Sequence, residues 1–113
     1  MMVGPEPYEY YTHAASTIAP TWRNQVTIAS VEKLVEYDAT YPIHLIAPVP
    51  LLIILAENDH SLPANLTIAA FERAREPKTL LSLPCQHTDV YDKEPWLTRS
   101  SDAALELFRQ YLA

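Results

Sequence analysis

The stretch that decides the fold is "PVPLLIILAENDHSLP", residues 48–63. Its apolar residues 51–56 follow Pro50 and do not alternate with polar ones. Such a run is typical of a strand that is buried on both faces of a parallel sheet. Polar residues follow at once, among them Asp59. The stretch therefore predicts a strand whose end carries either a turn-forming aspartate or a functional carboxylate.

Outward from this strand, the sequence predicts the order helix, strand, helix, strand, helix. The predicted elements are an amphipathic helix within residues 24–38, a strand at 51–56, a helix between Ser61 and Pro77, a strand at 78–83, and a last helix capped by Ser100 or Ser101 with Asp102. The apolar face of the last helix is expected to contain Ala104, Leu105, Phe108 and Leu112. Residues 1–22 show no clean period and predict an irregular N-terminal arm.

A strand, helix and strand in succession imply two parallel strands joined by a crossover, which is an α/β arrangement. Two parallel strands do not make a stable sheet by themselves, because parallel sheets are normally covered on both faces within a larger layer. We therefore expect residues 1–113 to form a single partial α/β domain, the C-terminal part of a truncated larger fold. Its uncovered strand edges predict a homodimer, or a partner chain that supplies the missing strands.

Composition excludes several classes of function. The chain has 113 residues, 49% of them hydrophobic and 19% charged, as in globular proteins. Its net charge of -6, with no basic block, argues against nucleic acid as a partner. The longest apolar run is shorter than the ~20 residues of a membrane span. Residues 1–11 lack the pattern of a signal peptide, and Cys85 is the only cysteine, so we expect a cytoplasmic protein without an internal disulfide.

The glycine content excludes three common site motifs. Gly4 is the only glycine in the chain. The phosphate-binding P-loop, the dinucleotide fingerprint and the G-x-S-x-G nucleophile elbow each need at least two glycines. Any chemistry of this chain must therefore come from other residues.

Asp59 and His87 are the candidate catalytic pair. Asp59 lies three residues beyond the first strand and His87 four residues beyond the second. The carboxyl ends of parallel strands meet at the same edge of a sheet, so the two side chains are expected to come within hydrogen-bonding distance. A carboxylate that accepts the ring N–H of a histidine orients a general base, as in a serine hydrolase. Taken singly, each is more simply a turn or surface residue.

Other residues of the same loops leave alternatives open. Cys85 is either a thiol nucleophile beside His87 or an inert buried thiol. A zinc site is a further alternative, with Asp59, His60, Cys85 and His87 as its ligands. Asp89 and Tyr91 either orient the histidine loop or lie in a solvated one.

Several segments resemble the C-terminal part of α/β-hydrolases, in particular the hydrolases and polyketide transferases of fungal secondary metabolism, including thiohydrolases. These segments are "APVPLLIILAENDHSLP" for the acid strand, "AFERAREPKTLLSLP" for the next helix and strand, "QHTDVY" for the histidine loop, "ALELFRQYL" for the last helix and, upstream, "APTWRNQVTIASVEKLVEYDATYPIHLIAP". The resemblance implies that Asp59 is the triad acid and His87 the triad base. It implies no metal or organic cofactor.

The chain departs from this family in two places. Family members usually have a glycine just before the histidine loop, where this chain has Cys85 and Gln86. The nucleophile elbow and the oxyanion hole are also missing, and no serine of the chain stands in an elbow motif. The fold expected from the resemblance is thus an incomplete α/β-hydrolase fold.

Two functional hypotheses follow. In the first, the chain is the C-terminal part of a serine α/β-hydrolase that hydrolyses or transfers ester, thioester or polyketide-type acyl groups, inactive alone and acting on a small-molecule acyl substrate when complemented. In the second, it is a catalytically silent binding or dimerisation module derived from such an enzyme. Whether the chain is an enzyme stays open at this point.

Overall fold

The computed structural model describes residues 4–112, in two compact units that divide between Ala39 and Thr40. The N-terminal unit contains helices α1 (Pro5–Thr17) and α2 (Ile28–Glu36). The second unit contains a 3-10 helix (Ile43–Leu45), β1 (Leu51–Ala56), α3 (Ala64–Arg73), β2 (Lys78–Leu83), α4 (Asp89–Asp92) and α5 (Trp96–Leu112). No helix within residues 4–112 is both long and apolar enough to cross a membrane.

The expected irregular arm over residues 1–22 is wrong for its central part, because Pro5–Thr17 is helical. Residues 1–3 of the expected arm lie outside the described residues. Pro5 stands at the first helical position, where its missing N–H costs nothing, and Glu6 lies in the first turn next to the positive end of the helix dipole. The Thr12 and Thr17 hydroxyls donate to carbonyls one turn earlier. These local bonds form a helix that no apolar period indicated.

Helix α2 confirms the amphipathic helix of residues 24–38, with a later start and an earlier end. Thr27 is its N-cap, and the Thr27 side chain accepts a hydrogen bond from the Ser30 N–H at 3.2 Å. An N-cap residue has extended backbone, so the helix begins only at Ile28. The apolar stripe of α2 is exposed, with Leu34 at 74% and Val35 at 81%.

The two predicted strands form one parallel sheet in the second unit, with the predicted bounds. The pairing runs from Leu51 opposite Lys78 to Ala56 opposite Leu83. Both strands therefore end at the same level of the sheet. The loops that follow them start side by side.

Helices cover the two faces of this sheet. Ala70 and Ala74, at the end of α3, form a buried cluster with Ile43, and Leu51 and Ile53 of β1 pack against it. On the other face of β1, Leu52 borders a groove together with residues of β2 and α5, namely Thr79, Leu80, Leu81, Ala103, Glu106, Leu107 and Gln110. Because successive strand side chains point to opposite faces, α3 and α5 lie on opposite sides of the sheet.

Lys78 joins the end of α3 to the start of β2. Its ammonium group donates to the carbonyl oxygens of Phe71 at 2.7 Å and Ala74 at 2.8 Å, and it lies 4.5 Å from the centre of the Phe71 ring. The last carbonyls of a helix have no partner within the helix and carry partial negative charge, so a lysine there stabilises the helix end.

The expected cap of the last helix at Ser100, Ser101 and Asp102 is wrong, because this helix begins earlier. Helix α5 starts at Trp96, and the Glu94 carboxylate accepts hydrogen bonds from the Thr98 hydroxyl at 2.8 Å and, more weakly, the Thr98 N–H at 3.4 Å. Ser100 is instead a buried residue one turn into the helix. Of the expected apolar face, Leu105, Phe108 and Leu112 are exposed, because the side that meets the sheet contains Ser100, Ala103 and Leu107.

Leu83 is completely buried at the end of β2, and its truncation is the first test of this fold. We expect Leu83→Ala to lower the free energy of unfolding by about 2–5 kcal/mol, because the lost methyl groups leave a cavity in the core. Leu45→Ala is the control, since Leu45 is 69% exposed, and we expect a change within about 0.5 kcal/mol. If urea unfolding showed the same loss of stability for Leu83→Ala and Leu45→Ala, the assignment of Leu83 to the core would be contradicted.

Candidate active site

The two loops that follow the strands are joined by backbone hydrogen bonds. The Glu57 N–H donates to the Leu83 carbonyl at 2.9 Å, and the Asn58 N–H donates to the Cys85 carbonyl at 3.0 Å. These bonds continue the ladder beyond the last paired residues of β1 and β2. They place the next residue, Asp59, beside the loop that carries His87.

Asp59 and His87 meet at this edge of the sheet. The Nδ1 atom of His87 lies 2.7 Å from Oδ2 of Asp59. The Asp59 side chain is 7% exposed, whereas the His87 side chain is 34% exposed. The structure thus brings the two residues together, with the carboxylate of Asp59 buried and the imidazole of His87 partly exposed.

The second carboxylate oxygen of Asp59 holds the turn after β1. Oδ1 accepts hydrogen bonds from the backbone N–H groups of Ser61 and Leu62, both at 2.7 Å. Burial by itself raises the pKa of this carboxyl group, but the hydrogen bonds from His87, Leu62 and Ser61 outweigh burial and hold the pKa of Asp59 below its ordinary value. Asp59 is therefore an anion at neutral pH.

Tyr91 contacts the other ring nitrogen of His87. Its hydroxyl oxygen lies 3.1 Å from Nε2, and the two rings meet edge to face with centroids 5.8 Å apart. In the tautomer whose Nδ1–H donates to Asp59, Nε2 is an acceptor, and the Tyr91 hydroxyl is then its donor. The sequence left the role of Tyr91 open between loop orientation and a solvated position. The structure shows a direct contact with the histidine.

Asp89 orders the histidine loop from within. It is 8% exposed, and its carboxylate accepts from the Gln86 N–H at 2.9 Å and from the Lys93 ammonium at 2.6 Å. Although burial alone raises the pKa of Asp89, the bonds from Lys93 and Gln86 lower it below its ordinary value. Among the described residues only Gly4 has a positive φ. Cys85 and Gln86, which stand where the resemblance leads one to expect a glycine, therefore have an unstrained backbone.

Neither alternative use of these loops is supported. Cys85 is buried, and burial together with the carboxylates of Asp89 and Glu57 raises the pKa of its thiol above the ordinary value. A raised pKa leaves less of the nucleophilic thiolate. Within residues 4–112, no three His, Cys, Asp or Glu side chains come together in a group that can hold a metal ion.

An open pocket of about 250 Å³ lies next to the pair. Its walls are mainly apolar, and His87 and Tyr91 both border it. The lining residues are Ile54, Leu55, Ala56, Asp59, Leu62, Thr67, His87, Val90, Tyr91 and Ser100. Ser100 is the serine of this lining, and its hydroxyl donates to the Leu97 carbonyl at 3.0 Å, a bond within its own helix.

Comparison with known proteins agrees with this architecture. Profiles of protein families and curated protein sequences give no match. Among solved structures, the α/β hydrolase GrgF from Penicillium sp. sh18 is similar over 90% of this chain, with a TM-score of 0.68 and 25% sequence identity. The similar region spans 35% of the GrgF chain.

In fold the chain is therefore similar to part of an α/β hydrolase, as the sequence predicted, with two parallel strands flanked by helices. It spans about a third of the length of the hydrolase that it resembles. The catalytic roles of Asp59 and His87 stay predictions. The sequence left the role of Asp89 open between loop orientation and a solvated position, and the structure shows that Asp89 is buried and bonded within the loop.

The negative charge of Asp59 predicts how the stability of the protein depends on pH. We expect Asp59→Asn to lower the free energy of unfolding at neutral pH by about 1–3 kcal/mol, because the charged carboxylate accepts three hydrogen bonds. A native pKa below the ordinary value of 3.8 means that this stabilisation is complete above that pH and is lost as the pH falls through the native pKa. The difference between wild type and variant should therefore shrink below about pH 4.

Urea unfolding over a series of pH values measures this difference. Asp102→Asn is the control, because Asp102 is exposed on α5, and its effect should stay within about 0.5 kcal/mol at every pH. A difference for Asp59→Asn that stays constant or grows on acidification would show that its native pKa is not lowered.

Proposed function

We propose that this chain carries the acid and the base of a serine-hydrolase-type catalytic site, with Asp59 as acid and His87 as general base. The observation that carries the proposal is the 2.7 Å contact between Nδ1 of His87 and the buried carboxylate of Asp59. Similarity of the fold to the α/β hydrolase GrgF supports it. The proposed reaction is hydrolysis or transfer of ester, thioester or polyketide-type acyl groups.

The proposed mechanism uses His87 as the carrier of one proton. Nε2 takes the proton of a nucleophile hydroxyl while the oxygen attacks the acyl carbonyl, and the imidazolium then gives that proton to the leaving group. Asp59 stays ionised, holds the proton on Nδ1 and stabilises the imidazolium. The lowered pKa of Asp59 suits this role, because its carboxylate has to remain an anion throughout the cycle.

In this proposal the serine nucleophile and the oxyanion donors belong to a segment or a partner chain beyond these 113 residues. His87 borders the pocket, and in this proposal the added serine hydroxyl takes the place beside Nε2 that the Tyr91 hydroxyl holds at 3.1 Å. The apolar walls of the pocket suit an acyl chain. Without a serine nucleophile the pair gives only slight acyl hydrolysis.

The expected cellular location and metabolic role of the protein stay predictions. A cytoplasmic location rests on the single cysteine. A role in fungal secondary metabolism rests on the resemblance of the acid-strand and histidine-loop segments, and GrgF is a Penicillium protein.

A chimera tests the proposed function. In GrgF, the matched region is replaced by this chain, so that the rest of the hydrolase fold surrounds Asp59 and His87. We expect the chimera to hydrolyse ester or thioester substrates, and His87→Gln and Asp59→Asn to lower kcat by about 10²–10⁴-fold. His60→Gln is the matched control, because His60 is exposed and adjacent to Asp59, and it should leave kcat unchanged.

Two results would contradict the proposal. One is a folded chimera, verified by circular dichroism, that shows no hydrolysis. The other is an active chimera in which His87→Gln behaves like His60→Gln, because the base would then lie elsewhere.

A catalytically silent dimerisation module is the second candidate. It is favoured by the exposure of the sheet: within the described chain β1 and β2 pair only with each other, and Leu51, Leu52 and Ile54 are only half-buried. Pairing with a second copy would cover such edges. Sedimentation equilibrium of the purified chain is expected to show dimers. A monomer at all concentrations would exclude self-pairing.

A further inference from the structure

Tyr91 stands in the position that a nucleophile occupies in a catalytic triad. Its hydroxyl oxygen is 3.1 Å from Nε2 of His87, on the side of the ring opposite Asp59. We propose that Tyr91 is itself an acyl acceptor, activated by the Asp59 and His87 pair, and that it takes its acyl group from thioesters. The inference rests on the acid–base pair of the proposed function and adds a nucleophile from the same chain.

The local fold presents Tyr91 for this role. Tyr91 belongs to α4, and His87 lies in the turn just before this helix, four residues earlier. The Asp89 carboxylate accepts hydrogen bonds from Gln86 and Lys93 and so fixes the same turn. Tyr91 is 45% exposed and borders the pocket, so an acyl donor can reach the phenol oxygen.

The hydrogen bonds run in one direction through the three residues. The Tyr91 hydroxyl donates to Nε2, Nδ1–H donates to Asp59, and two backbone N–H groups donate to the other oxygen of Asp59. A proton that leaves the phenol therefore arrives on an imidazole whose other nitrogen is already bound to an anion. This is the order of donors in a serine triad, with a phenol in place of the serine hydroxyl.

The proposed step balances without a further reactant. The Tyr91 oxygen attacks the carbonyl carbon of the thioester and forms a C–O bond, while the phenol proton passes to Nε2 of His87. The tetrahedral intermediate then breaks its C–S bond, and the imidazolium returns the proton to the leaving thiolate. The products are an acyl ester on Tyr91 and a free thiol.

The basicity of the leaving group favours a thioester over an alkyl ester as the acyl donor. Thiols have an ordinary pKa of about 8.5 and phenols of about 10, so the intermediate expels the thiolate more readily than the tyrosine. The alkoxide of an alkyl ester is a far stronger base than a phenolate, so that intermediate returns to the starting ester. The apolar walls formed by Ile54, Leu62 and Val90 give a short acyl chain a place beside the phenol.

Mass spectrometry of the 113-residue chain tests the inference. The chain is incubated with the butyryl thioester of N-acetylcysteamine, and the position of the added butyryl group is read from peptide fragments. We expect a single label on Tyr91, and none from ethyl butyrate. Tyr91→Phe should abolish the label, whereas Tyr111→Phe should leave it unchanged, because Tyr111 is a tyrosine with the same exposed fraction of 45%.

Two further variants test the activation. His87→Gln and Asp59→Asn are expected to lower the labelling rate of Tyr91 by at least about tenfold, in line with the contribution of a general base. His60→Gln should leave that rate unchanged. Circular dichroism of each variant verifies that the chain is folded.

The possible results separate this inference from the proposed function. Equal labelling of Tyr91 and Tyr111, or a rate that His87→Gln does not change, would overturn the role of Tyr91. If the chimera is nevertheless active, the proposed function remains supported, with Asp59 and His87 activating a serine from outside this chain. If the chimera is also inactive, both proposals fall.

Discussion

The parallel pairing of Leu51–Ala56 with Lys78–Leu83 is the constraint on which the rest of the structure depends. Because the two strands end at the same level, the loops that follow them are held side by side, and the Glu57 N–H extends the ladder by one more bond. A slip of one residue would move a side chain by about 3.3 Å and turn it to the other face of the sheet. The contact between Asp59 and His87 would then be lost.

Asp59 shows that a turn role and a site role do not exclude each other. One carboxylate oxygen accepts from the Ser61 and Leu62 N–H groups and shapes the turn, while the other accepts from His87. The bonds that shape the turn also favour the charged form, so the loop geometry itself keeps the partner of the imidazole anionic. In the neighbouring loop, Asp89 likewise accepts hydrogen bonds from Gln86 and Lys93, which shape the loop and favour the charged carboxylate.

Predictability varied along the chain according to the strength of the local signals. Both strands had the predicted bounds, because Pro50 precedes β1, polar residues follow it, and Pro77 and Pro84 flank β2. Helix α1 was missed, since it is held by a proline at its start and by hydroxyl bonds rather than by an apolar face. The start of α5 was placed too late, because the Glu94 carboxylate, not a serine, satisfies its first turn.

The sequence by itself determined the fold class, the parallel strands and the two loops in which Asp59 and His87 lie, since periodicity, proline positions and strand ends are local properties. Only the tertiary structure decided which oxygen of Asp59 meets which nitrogen of His87, that Tyr91 contacts the other nitrogen, and that Cys85 is buried. Distances of this kind depend on register and on backbone bonds between segments about 28 residues apart. No local pattern encodes them, because each needs both partners in place.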